Sequence, residues 1–379
     1  MKQNTIWVGI DDHKLSLSVA VLDGDCAADP VIKKLANEDR ALRRWVRRLE
    51  RQYRDREIRI CYEAGPNGFS LKRRLESFGT VLVEVIAPSL TPRRTGQRVK
   101  TDKRDASKLA HLYRAGELVA IATPNESDES ARDLGRTFQQ VKQEILRKRH
   151  HLLKFMTRRG RVFRDGQNWT LKHRQWLKSQ TWDEWADEVS FGELLTGLRE
   201  LEDRRLRLEQ SLQRLAEEES RSLLVGVLRC FHGIDTTAAV ILVNEIFEIE
   251  RFETPRRLMS YLGLTSGVDQ SGDRERRGGI TKTGNRFARF TLGQVAWHYR
   301  HKPSVGMKLK KRREGQPLWA VAIADRAHQR LCRRYWALVN RGKPPHKAVT
   351  AIARELVGFI WEVLIEAKRR SSTVRGIAA

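Results

Sequence analysis

Strand-like apolar runs are concentrated in the first 125 residues: IWVGI at 6–10, LSLSVAVL at 15–22, IRICY at 58–62 and VLVEVIA at 81–87. The helical pattern ALRRWVRRL at 41–49 separates the second run from the third. Short apolar runs alternating with helical periodicity mark an α/β domain. Only the four residues Asp11 to Lys14 lie between the first two runs, which permits an antiparallel hairpin before a helix-crossover sheet begins. A hairpin followed by helix-crossover strands is the order of a ribonuclease H-like sheet.

From about 126 to 222 the strand signals vanish. Leu194, Leu198, Leu201, Arg205, Leu208, Leu212 and Leu215 recur on the a/d spacing of a coiled coil, with Arg205 interrupting the seam. The stripe suits either an intermolecular coil or one amphipathic helix laid on its own domain. The stretch 223–379 reads as mostly helical and opens with LRCFHGIDTTAAVILVNEI at 228–246, two helical stretches joined at Gly233. That is a helix-hairpin-helix-like pattern, in which amides at a helix start contact phosphate. Asp235 stands where such hairpins commonly carry a second glycine, and a plain turn between core helices would read the same way. The expectation is α/β plus all-α, in three segments: 1–125, 126–222 and 223–379.

Lys and Arg number 73 against 47 Asp and Glu, a formal charge of +26, which favours a polyanionic partner bound through its phosphates. The excess is clustered. Arg136 to Trp176 holds twelve Lys/Arg against Glu144 and Asp165, and Arg274 to Arg313 holds thirteen against Glu275. Trp169, Trp176 and Trp297 lie beside cations and suit either base stacking or a core. The four cysteines have no metal-site or disulfide spacing, and no run approaches a signal peptide or a membrane span. A cytoplasmic, nucleoid-associated protein with no membrane partner is expected.

Two acids fall at strand ends, Asp11 in GIDDHK and Glu63 in CYEAGP, where a sheet can present them side by side. Asp102 and Asp105 are three residues apart at the start of a predicted helix and so share a face. Singly, each has a structural role open to it: a helix cap, an ion pair of Asp105 with Lys108, an ordered turn at Asp11. Together they form a hard oxygen cage suited to Mg²⁺ or Mn²⁺ and to phosphoryl transfer. Asp12 and His13 read as turn residues.

Farther on, YLGLTSGVDQSGDRERRGGITKTGNRFARF sets Ser271 and Gly272 before Arg274, Arg276, Arg277, Lys282 and Arg286. Glycines and cations around a hydroxyl suit a phosphate site. Ser271 could attack phosphorus there, or serve only as a phosphate contact on a basic loop. Ser266 has less basic neighbours.

Taken in order, GIDDHK, CYEAGPNGF, APSLTPRRTGQRVKTDKRDA, LYRAGEL, the WT…H…WL pattern at Trp169 to Leu177, FETPRRLMSYLGL, SGDRERRGGITKTGN and AWHYR cover nearly the whole chain. In them the sequence resembles the DEDD transposases of bacterial insertion-sequence group one-ten, with its eleven-eleven subgroup, described as bridge-RNA-guided serine recombinases. The resemblance implies a RuvC-like domain whose acids are Asp11, Glu63, Asp102 and Asp105, and a C-terminal domain whose serine is Ser271. The family pattern often has two serines before the glycine; here the first is Gln270. It further implies Mg²⁺, DNA substrates, an element-encoded guide RNA, and homodimers pairing into a tetramer with active sites shared between subunits. Two alternatives use the same residues differently: a metal-dependent junction nuclease in which water attacks, and an inactive nucleic-acid-binding relative.

Overall fold

The computed structural model describes residues 5–24, 29–92, 101–271 and 274–377, with the side chains of 268–277 and 373–377 outside the description. The chain divides into two compact units, Met1–Pro124 and Asn125–Ala379.

The first unit is built on a five-stranded sheet of order β3-β2-β1-β4-β5. Its strands are β1 (Thr5–Asp12), β2 (Ser16–Asp23), β3 (Val31–Ala36), β4 (Glu57–Glu63) and β5 (Leu82–Ile86). β1 to β3 pair antiparallel, whereas β4 joins β1, and β5 joins β4, in parallel. This is the ribonuclease H-like arrangement expected from the hairpin followed by crossovers. Because side chains alternate across a strand, β1 sends Ile6, Val8 and Ile10 to one face and Trp7 to the other. The first face is covered by α1 (Asp39–Gln52) and α2 (Ser70–Phe78), through Leu42, Trp45, Val46, Leu71 and Leu75. The second is covered by α3 (Asp102–Ala115), through Ala106, Leu109 and Tyr113.

β3 departs from the expectation, since VIKKLA shows no apolar alternation. It is an edge strand whose residues are almost all exposed, and its lysines suit an edge that must not pair further.

The second unit opens with two 33-residue helices, α4 (Glu126–Arg158) and α6 (Trp185–Glu217), joined through the short α5 (Leu171–Lys178). Arg159 pairs with Asp187, and Arg149 with Glu202 at 2.7 Å, so the two long helices run antiparallel. The heptad seam faces inward along this pair. Leu198 and Leu212 are buried, and Leu194, Leu201 and Leu208 pack against the cluster of Val141, Ile145, Leu152 and Phe155. Arg205 leaves the seam to pair with Glu209 at 2.8 Å. The stripe is therefore engaged within the chain, the second of the two arrangements that the heptads suit. The WT…H…WL motif is also structural: buried His173 accepts from Trp169 N through Nδ1 at 3.0 Å and stacks on Trp176.

α7 (Glu219–Arg229), α8 (Thr236–Ile246), α9 (Pro255–Tyr261), α10 (Arg286–Ala296), α11 (Met307–Arg313), α12 (Leu318–Asn340) and α13 (Pro345–Ile377) complete the unit. Phe231, Tyr299, Leu292, Leu331 and Ile360 belong to its core. At the α7–α8 turn Gly233 has φ +80°, and a Cβ there would lie 2.8 Å from the His298 ring. Asp235 caps α8, its Oδ1 accepting from Ala238 N at 2.8 Å. A carboxylate thus occupies the helix start that such a hairpin would offer to phosphate, and the turn packs against His298. The mostly helical expectation also missed a two-stranded hairpin, β6 (Ser266–Ser271) with β7 (Arg274–Ile280). Among the described residues no helix is long and apolar enough to cross a membrane.

Candidate active site

Three elements bring the predicted acids of the first unit together. Asp11 lies near the end of central β1, and Glu63 ends the parallel neighbour β4. Asp102 opens α3, with Asp105 one turn along. The approach of α3 is set by Gly9, because a Cβ there would stand 2.3 Å from Ala106 O and 2.5 Å from Ala110 N. Only a residue without a side chain lets the helix lie this close to β1.

Asp11, Glu63 and Asp105 line one cleft of about 510 Å³, together with Asp12, Thr91 and Lys108. Asp102 reaches the same group through His13. The imidazole Nε2 lies 3.3 Å from Asp11 Oδ2 and 3.4 Å from Asp102 Oδ1. His13 lies in the turn between β1 and β2, as expected, and also stands between two of the candidate acids, a placement that depends on where α3 docks. Asp12 belongs to β1, as its last residue. The segment is held by two asparagines: Asn37 Nδ2 donates to His13 O at 3.0 Å, and Asn67 Nδ2 to Asp12 O at 3.3 Å. Burial pushes the Asp12 carboxyl up, opposed by its hydrogen bond to Asn67 and by His13 and Arg74.

Ligand atoms of Asp11, His13 and Asp102 lie within 4.8 Å of one another. Carboxylate oxygens with one imidazole suit a divalent cation, and the nitrogen tilts the set from Mg²⁺ towards Mn²⁺. The residues therefore fit a divalent metal.

The second unit carries the serine segment on the β6–β7 hairpin. Ser271 ends β6 opposite Arg274, with Arg276 across from Asp269 and Arg277 across from Val268. The side chains of Ser271, Arg274, Arg276 and Arg277 lie outside the described residues, so the hairpin gives their backbone register alone. Its base is fixed by two left-handed glycines. A Cβ on Gly263 would meet Thr283 O at 2.2 Å, and one on Gly284 would meet Tyr261 O at 2.1 Å. Lys282 follows β7 in the left-handed region at φ 57°, and Arg286 opens α10, both exposed. Asn285 caps α10, its Oδ1 accepting from Phe287 N and Ala288 N, both at 3.0 Å. Asn285 Nδ2 in turn donates to Glu245 Oε2 at 2.7 Å. Glu245 is buried and also accepts two hydrogen bonds from Arg136, at 2.8 and 3.0 Å. This buried carboxylate ties α4, α8 and the start of α10 beneath the basic segment, a function that the sequence pattern around Glu245 did not disclose.

The chain is similar to known proteins over both units. Residues 8–159 match the DEDD transposase family of the IS110 type, a span that contains Asp11, Glu63, Asp102 and Asp105. Residues 226–309, which include the hairpin, match the family described as Transposase IS116/IS110/IS902. A putative transposase, y4qE, of Sinorhizobium fredii is 36% identical over 367 residues, covering 97% of this chain and 90% of its own. The transposase for insertion sequence element IS1533 of Leptospira borgpetersenii is 29% identical, over 89% of this chain and 98% of its own. The IS110 type is a DEDD transposase and not a serine recombinase, so that class name, given with the resemblance, is corrected. With both matches in place and a relative 36% identical over nearly the full length, the chain belongs to the IS116/IS110/IS902 family of transposases.

Proposed function

We propose that the protein catalyses RNA-guided strand exchange of an insertion sequence, with Asp11, Glu63, Asp102 and Asp105 as the acidic tetrad and Ser271 as the nucleophile. The observation that supports this most is the gathering of strand-end and helix-start carboxylates around one cleft in a strongly basic transposase. Asp11, Glu63, Asp102 and Asp105 would hold Mg²⁺ or Mn²⁺, which would supply Lewis acidity towards the phosphate oxygens. His13 adds an imidazole to the same group.

In the first transfer the Ser271 hydroxyl oxygen bonds to phosphorus. The phosphorus–oxygen bond to the neighbouring sugar breaks, and the serine proton passes to solvent while the departing sugar oxygen gains one. The resulting phosphoserine keeps the bond energy, so attack by a second sugar hydroxyl reverses the step and joins new ends. Arg274, Arg276, Arg277, Lys282 and Arg286 counter the phosphate charge. Residues 1–125 carry the metal chemistry in this reading, the basic helical stretch Phe138 to Phe155 within 126–222 lies along nucleic acid, and 223–379 carry the serine. Sequence choice lies with an element-encoded guide RNA, which leaves phosphate and shape contacts to the protein. The working form is a homodimer, paired into a tetramer on DNA. Recombination of element ends into target DNA tests this: Ser271→Ala abolishes it, and a normal product yield from that variant would refute the nucleophile.

A second reading, hydrolysis by an activated water, is favoured by the containment of the whole acid set within Met1–Pro124. It requires cleavage without any covalent protein–DNA species.

A further inference from the structure

The solvent face of α1 consists of arginine. Arg40, Arg43, Arg44, Arg47, Arg48 and Arg51 are all exposed, whereas Leu42, Trp45, Val46 and Leu49 on the opposite face are buried under the sheet. The two carboxylates of the helix are engaged with other partners. Asp39 Oδ1 pairs with Arg74 Nε at 2.7 Å, and Glu50 Oε1 accepts from Thr80 N at 2.6 Å. Among the described residues none of the six arginines forms an ion pair, and Arg43 lies over the Phe78 ring at 4.9 Å. Five of the six line an open basin of about 500 Å³ with Asp39.

Folding gives no reason for this surface. Arg40/Arg44, Arg43/Arg47, Arg44/Arg48 and Arg47/Arg51 are like charges four residues apart, which weaken a helix. Arg40 also stands in the first turn, the end where the helix dipole disfavours a cation. The region differs from the two basic segments conspicuous in the sequence, because its cations are diluted there by the core residues between them.

We propose that this face of α1 docks the sugar-phosphate backbone of duplex DNA, without reading sequence. The assignment rests on the reading that the protein acts on DNA. Arg40, Arg44, Arg47 and Arg51 form one stripe, which at 1.5 Å per residue extends about 16 Å. That length matches about five phosphates at an axial spacing of 3.4 Å along one strand. The guanidinium fork pairs with phosphate oxygens two at a time, which a lysine cannot do. A membrane surface is the poorer partner, because an interfacial helix needs free apolar side chains and the large ones of α1 are in the core.

The test uses the full chain with Arg40→Gln, Arg44→Gln, Arg47→Gln and Arg51→Gln combined. Its binding to a labelled mixed-sequence DNA duplex, and to an RNA duplex of equal length, is followed by anisotropy across a KCl series. The control removes the same charge from exposed α6 arginines: Arg199→Gln, Arg204→Gln, Arg207→Gln and Arg214→Gln. The expected result is a log–log salt slope on DNA that is shallower by about 3 to 4, close to 0.9 per lost phosphate contact, with the control near wild type. Equal slopes for wild type and the α1 variant would overturn the proposal, as would an equal effect of the control or an effect confined to RNA. If wild type itself binds no DNA, the underlying reading fails as well, which separates the two failures. Protection of Arg44 and Arg47 from an arginine-specific dicarbonyl by duplex DNA, read by mass spectrometry on wild type, gives a check independent of any variant's folding. Absence of protection would likewise overturn it.

Discussion

Gly9→Ala isolates the device that joins α3 to the sheet. The added Cβ would lie 2.3 Å from Ala106 O, 2.5 Å from Ala110 N and 2.9 Å from Leu109 Cβ. Two of these are helix backbone atoms that no rotamer change can move. Restoring ordinary contact at 3.4 Å requires α3 to retreat by about 1 Å. Overpacking of this kind costs about 1–3 kcal/mol, against up to about 1 kcal/mol recovered by removing a strand glycine. A net loss of about 1–2 kcal/mol lowers the melting temperature by several degrees in a unit of this size. Asp102 and Asp105 travel with the helix, so the 3.4 Å approach of His13 to Asp102 opens. A displacement near 1 Å in a reacting constellation reduces turnover on the order of 100-fold. Thermal unfolding and Mn²⁺ calorimetry on the same preparation measure both effects. Wild-type melting and wild-type Mn²⁺ affinity together would refute the argument that Gly9 sets the position of the acids.

Three further outcomes follow from side-chain surroundings. Glu245→Gln leaves Arg136 without its bidentate carboxylate and lowers stability by about 3 kcal/mol, the low end for a buried pair because Arg136 is 36% exposed; an unchanged denaturation midpoint would contradict it. His13→Ala weakens Mn²⁺ binding more than Mg²⁺ binding, and an equal loss for both ions would remove the imidazole from the ligand set. His232 stacks on His328 at 4.2 Å and is held down at about 4 by burial and by the neighbouring His328 and His298. Its unfolded value is near 6.5, so between those limits the unfolded chain binds the extra proton, and stability falls as pH drops from about 6.5 to about 4. His232→Asn flattens that decline, and a wild-type melting profile level across the window would show that His232 does not titrate there.

The legible parts of the fold are those whose signal is local. β1, β2, β4 and β5 were readable as apolar runs because both faces of the sheet are covered, and the strand-end positions of Asp11 and Glu63 followed from those runs. β3 was not readable, because an exposed edge strand carries lysines instead of an apolar pattern. The heptad at 194–215 was visible, but a seam looks the same whether its partner is α4 or another chain. The β6–β7 hairpin was hidden by SGVDQSGDRERRGGI, whose glycines and charges resemble a loop. The placement of His13 between Asp11 and Asp102 had no local signal, since it exists only once Gly9 admits α3 and brings Asp102 beside Asp11.

The central claim, serine attack supported by a carboxylate-held metal, is tested most directly by looking for its covalent intermediate. Purified protein is incubated with RNA transcribed from the DNA flanking its gene, labelled element-junction and target DNA, and Mg²⁺, then denatured. The account predicts a denaturation-resistant protein–DNA adduct that disappears in Ser271→Ala and also in Asp11→Ala. Metal-dependent cleavage with no adduct in the wild-type protein would contradict it and assign the attack to water.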